Sequence, residues 1–347
     1  MDPLAPLSNP DLCGHEAAEA MLLQAFQSGR MHHGWLLTGP RGIGKATLAH
    51  RFARFLAMNG REERSGSLWT NPSSPVVNRA LKGSHPDLLT IARKENAEGV
   101  LSKTISIDDI RALKKMLTLT SADDGWRVVV IDGAEALGTE AQNAILKVLE
   151  EPPPRTVLLL TTDQPGALRI TVRSRLRRLP LDPLPDEAMD KLLLQHLPDL
   201  PPTDLQQLKA LAAGSIGRAL DLQMSEALTS YRELLALLAA ARLPARAYID
   251  FCEKMARKGA EAGYTEVTRL LTDWLSRVAR LAATGDLGER IPGESAAGLR
   301  LADGLGLERS LALWDKVRLL FTQGQSLNLD RKQVLLSALL QVKAAAG

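Results

Sequence analysis

The chain has 347 residues, too many for one comfortable core and enough for two or three domains. Apolar residues make up 45% and charged residues 24%, the proportions of a soluble folded protein rather than a disordered or fibrous one. A formal net charge of +3 gives no whole-molecule field for nucleic acid, so any DNA contact must be local. Two cysteines, Cys13 and Cys252, cannot build a metal cluster or a disulfide framework and suit a reducing cytoplasm.

The opening MDPLAPLSNPDL lacks the basic-then-apolar order of a secretory signal, so no targeting segment is expected. GWLLTG, at 34–39, reads as a buried strand. It runs into GPRGIGKA, at 39–46, and a helix, ATLAHRFARFLA. Strand, glycine loop and helix in that order are the setting of a phosphate-gripping loop, whose pattern is G-x-x-x-x-G-K-[ST]. Gly39, Gly42, Gly44 and Lys45 supply the turn, the close backbone approach and the point charge. Ala46 stands where a hydroxyl should hold Mg²⁺, and Thr47 lies one residue late on another helical face. The loop therefore reads either as one that binds nucleotide without using it or as an empty relic.

Residues 59–85 are rich in Gly, Ser, Asn and Pro and read as a surface insertion. DLLTIA, WRVVVID and TVLLLTT complete a set of strands expected to be buried on both faces, with helical periodicity between them. That alternation implies a parallel sheet covered by helices, an α/β domain. Ser106 with Asp109, and Thr139 with Gln142, read as helix-opening capping boxes. Asp132, ending VVVID, occupies the place of a metal-holding carboxylate. The next residue is Gly133, not an acid, and Glu135 is the nearest replacement. Glu150 and Glu151 close the helix AILKVLEEP, where the macrodipole disfavours negative charge, so a basic partner is expected. Thr161 and Thr162 end their strand as polar residues. After LDPLPDE strands vanish, and the longest apolar run, LLALLAAA at 234–241, is far short of the roughly 20 residues of a membrane span.

GPRGIGKATLA, VVVIDGAEAL with AQNAILKVLEEPP, TTDQP and TVRSRLRRLPL together resemble the clamp-loader family of bacterial DNA polymerase III, over residues 11 to about 225. NLDRKQVLLSALL resembles that family's collar more faintly. The resemblance implies an AAA+ P-loop core at 1–182, a helical lid at 183–225 and an all-α collar for oligomerisation at 226–347. The defects at Ala46 and Gly133 point within the family to its delta-prime branch, a subunit that does not hydrolyse ATP itself.

Ser174 and Arg175 match the family's Ser-Arg-Cys motif, with Leu176 in place of the cysteine, so Arg175 is implied as an arginine finger for a neighbouring subunit. GSIGRAL, at 214–220, is similar to the lid's sensor segment, which implies that Arg218 approaches nucleotide, and Thr162 with Thr161 is similar to the polar sensor between the two nucleotide motifs. The implied partners are gamma/tau and delta, with the sliding clamp and primer-template DNA met through the complex, in the cytoplasm and away from membranes. ATP with Mg²⁺ is open at the degenerate loop. The four-cysteine zinc module carried by some relatives has no cysteines here, so no metal is expected. The rival readings are a working ATPase in which Thr47 and Glu135 replace the missing groups, and a scaffold that binds ATP without cleaving it.

Overall fold

The computed structural model describes residues 6–9, 11–60, 66–94, 101–118, 125–240 and 245–345. The chain divides into two compact units, Met1–Leu192 with Gly214–Gly217, and Leu193–Ala213 with Arg218–Gly347.

The first unit is an α/β domain. Its strands are β1 (Gly34–Thr38), β2 (Leu88–Ile91), β3 (Arg127–Ile131), β4 (Thr156–Thr162) and β5 (Arg177–Pro180). All pairings are parallel and the order is β2-β3-β4-β1-β5. Because side chains alternate across a strand, each run feeds two cores. Trp35, Leu37, Val128, Val130 and Leu159 face one side with Leu22, Leu48, Phe52 and Leu56, which come from α1 (Glu16–Gln27) and α2 (Lys45–Ala57). Leu36, Val129, Ile131, Leu158 and Leu160 face the other with Ile110, Leu113 and Ile145, from α4 (Ile107–Thr118) and α5 (Thr139–Glu150).

Three expectations change. β2 was expected to be buried on both faces, but it is a sheet edge, and its Leu88 and Leu89 are half-buried with Thr90 exposed. The 59–85 stretch was expected on the surface, yet Leu68 is fully buried among Phe52 and its neighbours. The Leu68 amide donates to Glu19 Oε1 at 2.7 Å, the oxygen that also accepts from Arg51 at 2.8 Å. α3 (Pro75–Leu81) adds buried Val77 and Ala80; residues 61–65 lie outside the described residues.

The third change concerns capping. The Ser106 box forms as expected: the Ser106 amide donates to Asp109 Oδ2 at 3.0 Å, and the Asp109 amide to Ser106 Oγ at 3.4 Å. The Thr139–Gln142 pair does not cap, because Thr139 is already the first helical residue after Gly138. Gln142 is instead drawn to distant backbone, donating to Leu137 O at 3.0 Å and accepting from the Arg169 amide at 2.8 Å. Long-range partners won over the local box. Those contacts tie α5 to the segment that leads into α6 (Ile170–Arg173).

Beyond β5 every described element is helical: α7 (Asp186–His196), α8 (Pro202–Ala212), α9 (Ile216–Met224), α10 (Ala227–Ala239), α11 (Ala245–Ala256), α12 (Glu261–Thr284), α13 (Glu294–Ser326) and α14 (Arg331–Ala345). α13 is broken at Gly306, whose φ of 68° only glycine takes cheaply. In the second unit α10, α12 and α13 meet around a buried charge network. Glu294, fully buried, accepts from Arg277 at 2.7 and 2.5 Å, from Tyr231 OH at 2.8 Å and from the Arg290 amide at 2.8 Å. No described helix is long and apolar enough to cross a membrane.

Candidate nucleotide site and arginine edge

The glycine loop emerges from β1, an interior strand of the sheet between β4 and β5. Gly39 has φ +148°, and a Cβ there would stand 2.3 Å from Leu181 O, so only glycine fits between loop and strand exit. Gly44, with φ +107°, is the residue before α2. Six consecutive carbonyls of the loop each have a donor. Lys45 Nζ donates to Gly39 O at 2.8 Å and Pro40 O at 2.7 Å. Ser215 Oγ donates to Arg41 O at 2.7 Å, the Gly217 amide to Gly42 O at 2.9 Å, and His15 Nε2–H to Ile43 O at 2.6 Å. The Leu48 amide takes Gly44 O at 2.9 Å within α2.

The backbone of the loop is thus held by donors from this chain's own residues, Lys45, Ser215, Gly217, His15 and Leu48. Gly217 is needed for this closeness, since a Cβ on it would lie 2.8 Å from Gly42 Cα. Burial pushes the His15 imidazole below its ordinary value, which keeps the ring neutral, with its proton on the nitrogen that serves the loop. Burial likewise lowers Lys45, against the attraction of Asp163, Glu135 and Asp132.

Around Lys45 the acids divide by role. Asp132 is tied down, its Oδ1 accepting from Thr161 Oγ1 at 2.6 Å, while Thr161 Oγ1 accepts from the Gly133 amide at 3.0 Å. Of the two strand-end threonines, Thr161 is therefore the one joined to Asp132. Thr162 Oγ1 accepts from the Gln164 amide at 3.1 Å and shapes the next turn. Gly133 has φ +75°, a backbone on which a substituted glutamate would be strained. Glu135 Oε2 and Asp163 Oδ1 are buried with no hydrogen-bond partner, an arrangement that costs free energy unless something else enters. Ala46 and Thr47 sit half-buried in the first turn of α2. Among the described residues no three His, Cys, Asp or Glu are grouped to hold a metal ion.

Arg218 is half-buried in α9, in the second unit. Burial lowers its pKa, and the charges that face it, Arg269, Asp273, Glu266 and Arg290, all belong to that unit. A separate cavity of about 230 Å³ between α2, β2 and β3 is lined by His50, Arg54 and Val130 among others, with none of the loop residues 39–46 in its wall.

Ser174 and Arg175 lie in the turn between α6 and β5. Trp35 of β1 pairs with Arg177 of β5, and both strands run parallel toward the glycine loop. Arg175 thus precedes the start of β5, and the five residues of β1 set it about 16 Å or more from its own loop. Leu176, where the motif departs from cysteine, is a core residue: a Cβ on Gly34 would meet its Cδ2 at 2.6 Å.

Arg175 NH1 donates to Thr171 O at 2.8 Å, and NH2 pairs with Glu150 Oε1 at 2.8 Å. That arginine is the basic partner expected for the end of α5. Ser174 Oγ donates to Thr171 O at 3.2 Å. Arg177 and Arg178 lie in β5, Arg177 over the Trp35 ring and Arg178 donating to Thr38 Oγ1 at 3.2 Å. His15 carries no motif of its own, and Ser215 and Asp163, though inside GSIGRAL and TTDQP, have no role that the sequence assigns; only the chain's return to the loop reveals all three.

Residues 14–185 match the family model described as DNA polymerase III, delta subunit. The chain is 38% identical over 184 residues to the DNA polymerase III subunit delta′ of Pseudomonas aeruginosa, a match covering 53% of each. It is 28% identical over 256 residues to the subunit delta′ of Escherichia coli K12, covering 74% of this chain and 73% of the relative. Against the subunit gamma/tau of Mycobacterium tuberculosis H37Rv the identity is 29% over 188 residues, 54% of this chain and 31% of the relative. The chain spans about half the length of its Pseudomonas relative and about a third of the gamma/tau protein.

Proposed function

Because the chain belongs to the delta-prime clamp-loader family of DNA polymerase III, we propose that it is a subunit that hydrolyses no ATP and lends Arg175 to the ATP site of a neighbouring gamma/tau subunit. In this reading it supports loading of the sliding clamp onto primed DNA in the cytoplasm, with delta as a further partner. The observation that carries the reading is the position of Arg175. A guanidinium carried by the turn before β5, half-exposed and a strand's length from its own loop, has no phosphate of its own to reach. Placed against a neighbour's γ-phosphate, such a group offsets transition-state charge and is worth roughly 10³–10⁵ in rate.

The silence of the chain's own site follows from two independent gaps. Ala46 offers no oxygen to Mg²⁺. Gly133 carries no carboxylate to orient water, and its left-handed backbone holds Asp132 against Thr161. The glycine cradle and Lys45 remain, so the loop keeps the parts for holding phosphate while lacking those for cutting it.

The rival reading, a working ATPase, draws support from Glu135, whose buried carboxylate lies within electrostatic reach of Lys45. Steady-state ATP turnover by the isolated chain separates the two. The proposal expects no turnover above a buffer control; a rate near 1 s⁻¹, ordinary for an enzyme, would contradict it.

A further inference from the structure

α5 ends at Glu150, and Pro152, Pro153 and Pro154 prevent its continuation. A carboxylate at a helix C-terminus faces the negative end of the macrodipole, so Glu150 is badly placed for the helix itself. It is well placed for Arg175. One oxygen takes NH2 at 2.8 Å, while the carbonyl of Thr171, four residues earlier, takes NH1 at 2.8 Å. The guanidinium is held at two corners by two different elements, and its backbone is anchored beside it by buried Leu176.

The same helix fixes the approach to that turn. Gln142 accepts from the Arg169 amide at 2.8 Å, and Asn143 Oδ1 accepts from Arg169 NH1 at 2.8 Å. α5 is thus a template along which the whole segment from Ala167 to Arg175 is laid, with Glu150 as its last contact. The two contacts on Arg175 use two of the five N–H donors of a guanidinium. One on each terminal nitrogen and the one on Nε remain for a ligand, and the side chain is 36% exposed.

We propose that Glu150 is a positioning residue for Arg175, orienting the guanidinium fork so that its remaining donors meet the phosphate of a neighbouring subunit in trans. This rests on the reading of Arg175 given above. An arginine side chain has many rotamers, and ordering it before the neighbour arrives removes that entropy from the catalytic step. Glu150 touches no reacting atom; it acts through Arg175.

The test is a double-mutant cycle in the complex reconstituted with gamma/tau, delta and the sliding clamp. Clamp loading and DNA-stimulated ATP turnover are measured for wild type, Glu150→Ala, Arg175→Ala and the pair. Misorientation of a catalytic group costs up to about a hundredfold, and Glu150→Ala is expected to slow loading by about tenfold, in kcat and not in KM for ATP. Glu150→Gln, which keeps an acceptor oxygen, should recover most of the rate. In the Arg175→Ala background Glu150→Ala should add nothing, since the two act as one unit.

Glu150 is itself half-exposed, and an unchanged melting temperature of the isolated variant shows that the fold survives. Wild-type loading by Glu150→Ala alongside a slow Arg175→Ala would overturn the positioning role and leave the finger standing. An equal loss from Glu150→Ala with or without Arg175 would also overturn it, by assigning Glu150 to the helix. Full activity of Arg175→Ala would remove both.

Discussion

Glu294→Gln takes one charge from the interior of the helical unit and leaves the shape almost unchanged. Glu294 is fully buried and satisfies four donors: both terminal nitrogens of Arg277, the Tyr231 hydroxyl and the Arg290 amide. An amide keeps one acceptor oxygen but turns an NH₂ toward groups that are themselves donors. Arg277, 6% exposed, then keeps only the more distant Asp273 at 3.5 Å as a counter-charge. Breaking a buried ion pair from one side costs about 3–5 kcal/mol, and in a unit of this size that lowers Tm by about 2–4 °C per kcal/mol.

Urea unfolding followed by tryptophan fluorescence should report the loss, since Trp274 donates its indole N–H to Glu294 O at 3.3 Å. Replacing both partners, Glu294→Leu with Arg277→Met, should cost much less than the single change. The pH dependence follows with its sign. Burial pushes the Glu294 carboxyl up, but Arg277, the Arg290 amide and Tyr231 pull it further, to a net position below 4.5. Its contribution is therefore present above about 4.5 and fades as pH falls through the lower folded value; Glu294→Gln should abolish that acid-side loss. A single-mutant cost under about 1 kcal/mol, the scale of an exposed pair, would refute the reasoning.

Gln142→Ala should destabilise the first unit by about 1–3 kcal/mol, because it leaves the buried Leu137 carbonyl and the Arg169 amide unpaired; thermal melting checks this. Rebuilding the motif with Ala46→Ser and Gly133→Glu should not restore ATP turnover, since residue 133 holds a left-handed backbone that a glutamate occupies only at about 1–2 kcal/mol. Binding of a fluorescent ATP analogue to the isolated chain should be the same in Mg²⁺ as in EDTA. A tenfold tightening by Mg²⁺, about 1.4 kcal/mol, would mean that Thr47 or an acid has taken over the missing ligand.

The sheet was legible because its strands are apolar runs with turn signals at each end, and burial on both faces leaves no other use for VVVI or VLLL. Ser106 with Asp109 was legible for a different reason: both partners of the cap lie within one turn of helix. Thr139 with Gln142 has a similar spacing and a different fate. Its glutamine found better partners at Leu137 and Arg169, and sequence spacing carries no record of a segment 27 residues away.

Leu68 misled in the same manner. One apolar residue among Gly, Ser and Asn has no periodicity, so its burial beside Phe52 is decided by tertiary packing alone. At the glycine loop the residue types were readable, but the saturation of its carbonyls was not, since His15 and the 214–217 segment approach from far along the chain. The Glu150–Arg175 pair lay between: the helix end announced that a cation was needed, and only the fold could say which.

The measurement that tests the central claim most directly is the rate of clamp loading and DNA-stimulated ATP hydrolysis by a reconstituted complex carrying Arg175→Ala. The isolated variant should fold and assemble as wild type does, because a half-exposed arginine contributes little to its own core. Turnover at the adjacent gamma/tau site should fall, total turnover should fall in part, and clamp loading should fall further because it needs the sites together. Arg175→Lys should rescue poorly, a point charge being no substitute for a planar fork, while Arg177→Ala, in β5, should do less. Normal assembly with wild-type loading by Arg175→Ala would contradict the account and leave Arg175 as a surface arginine paired with Glu150.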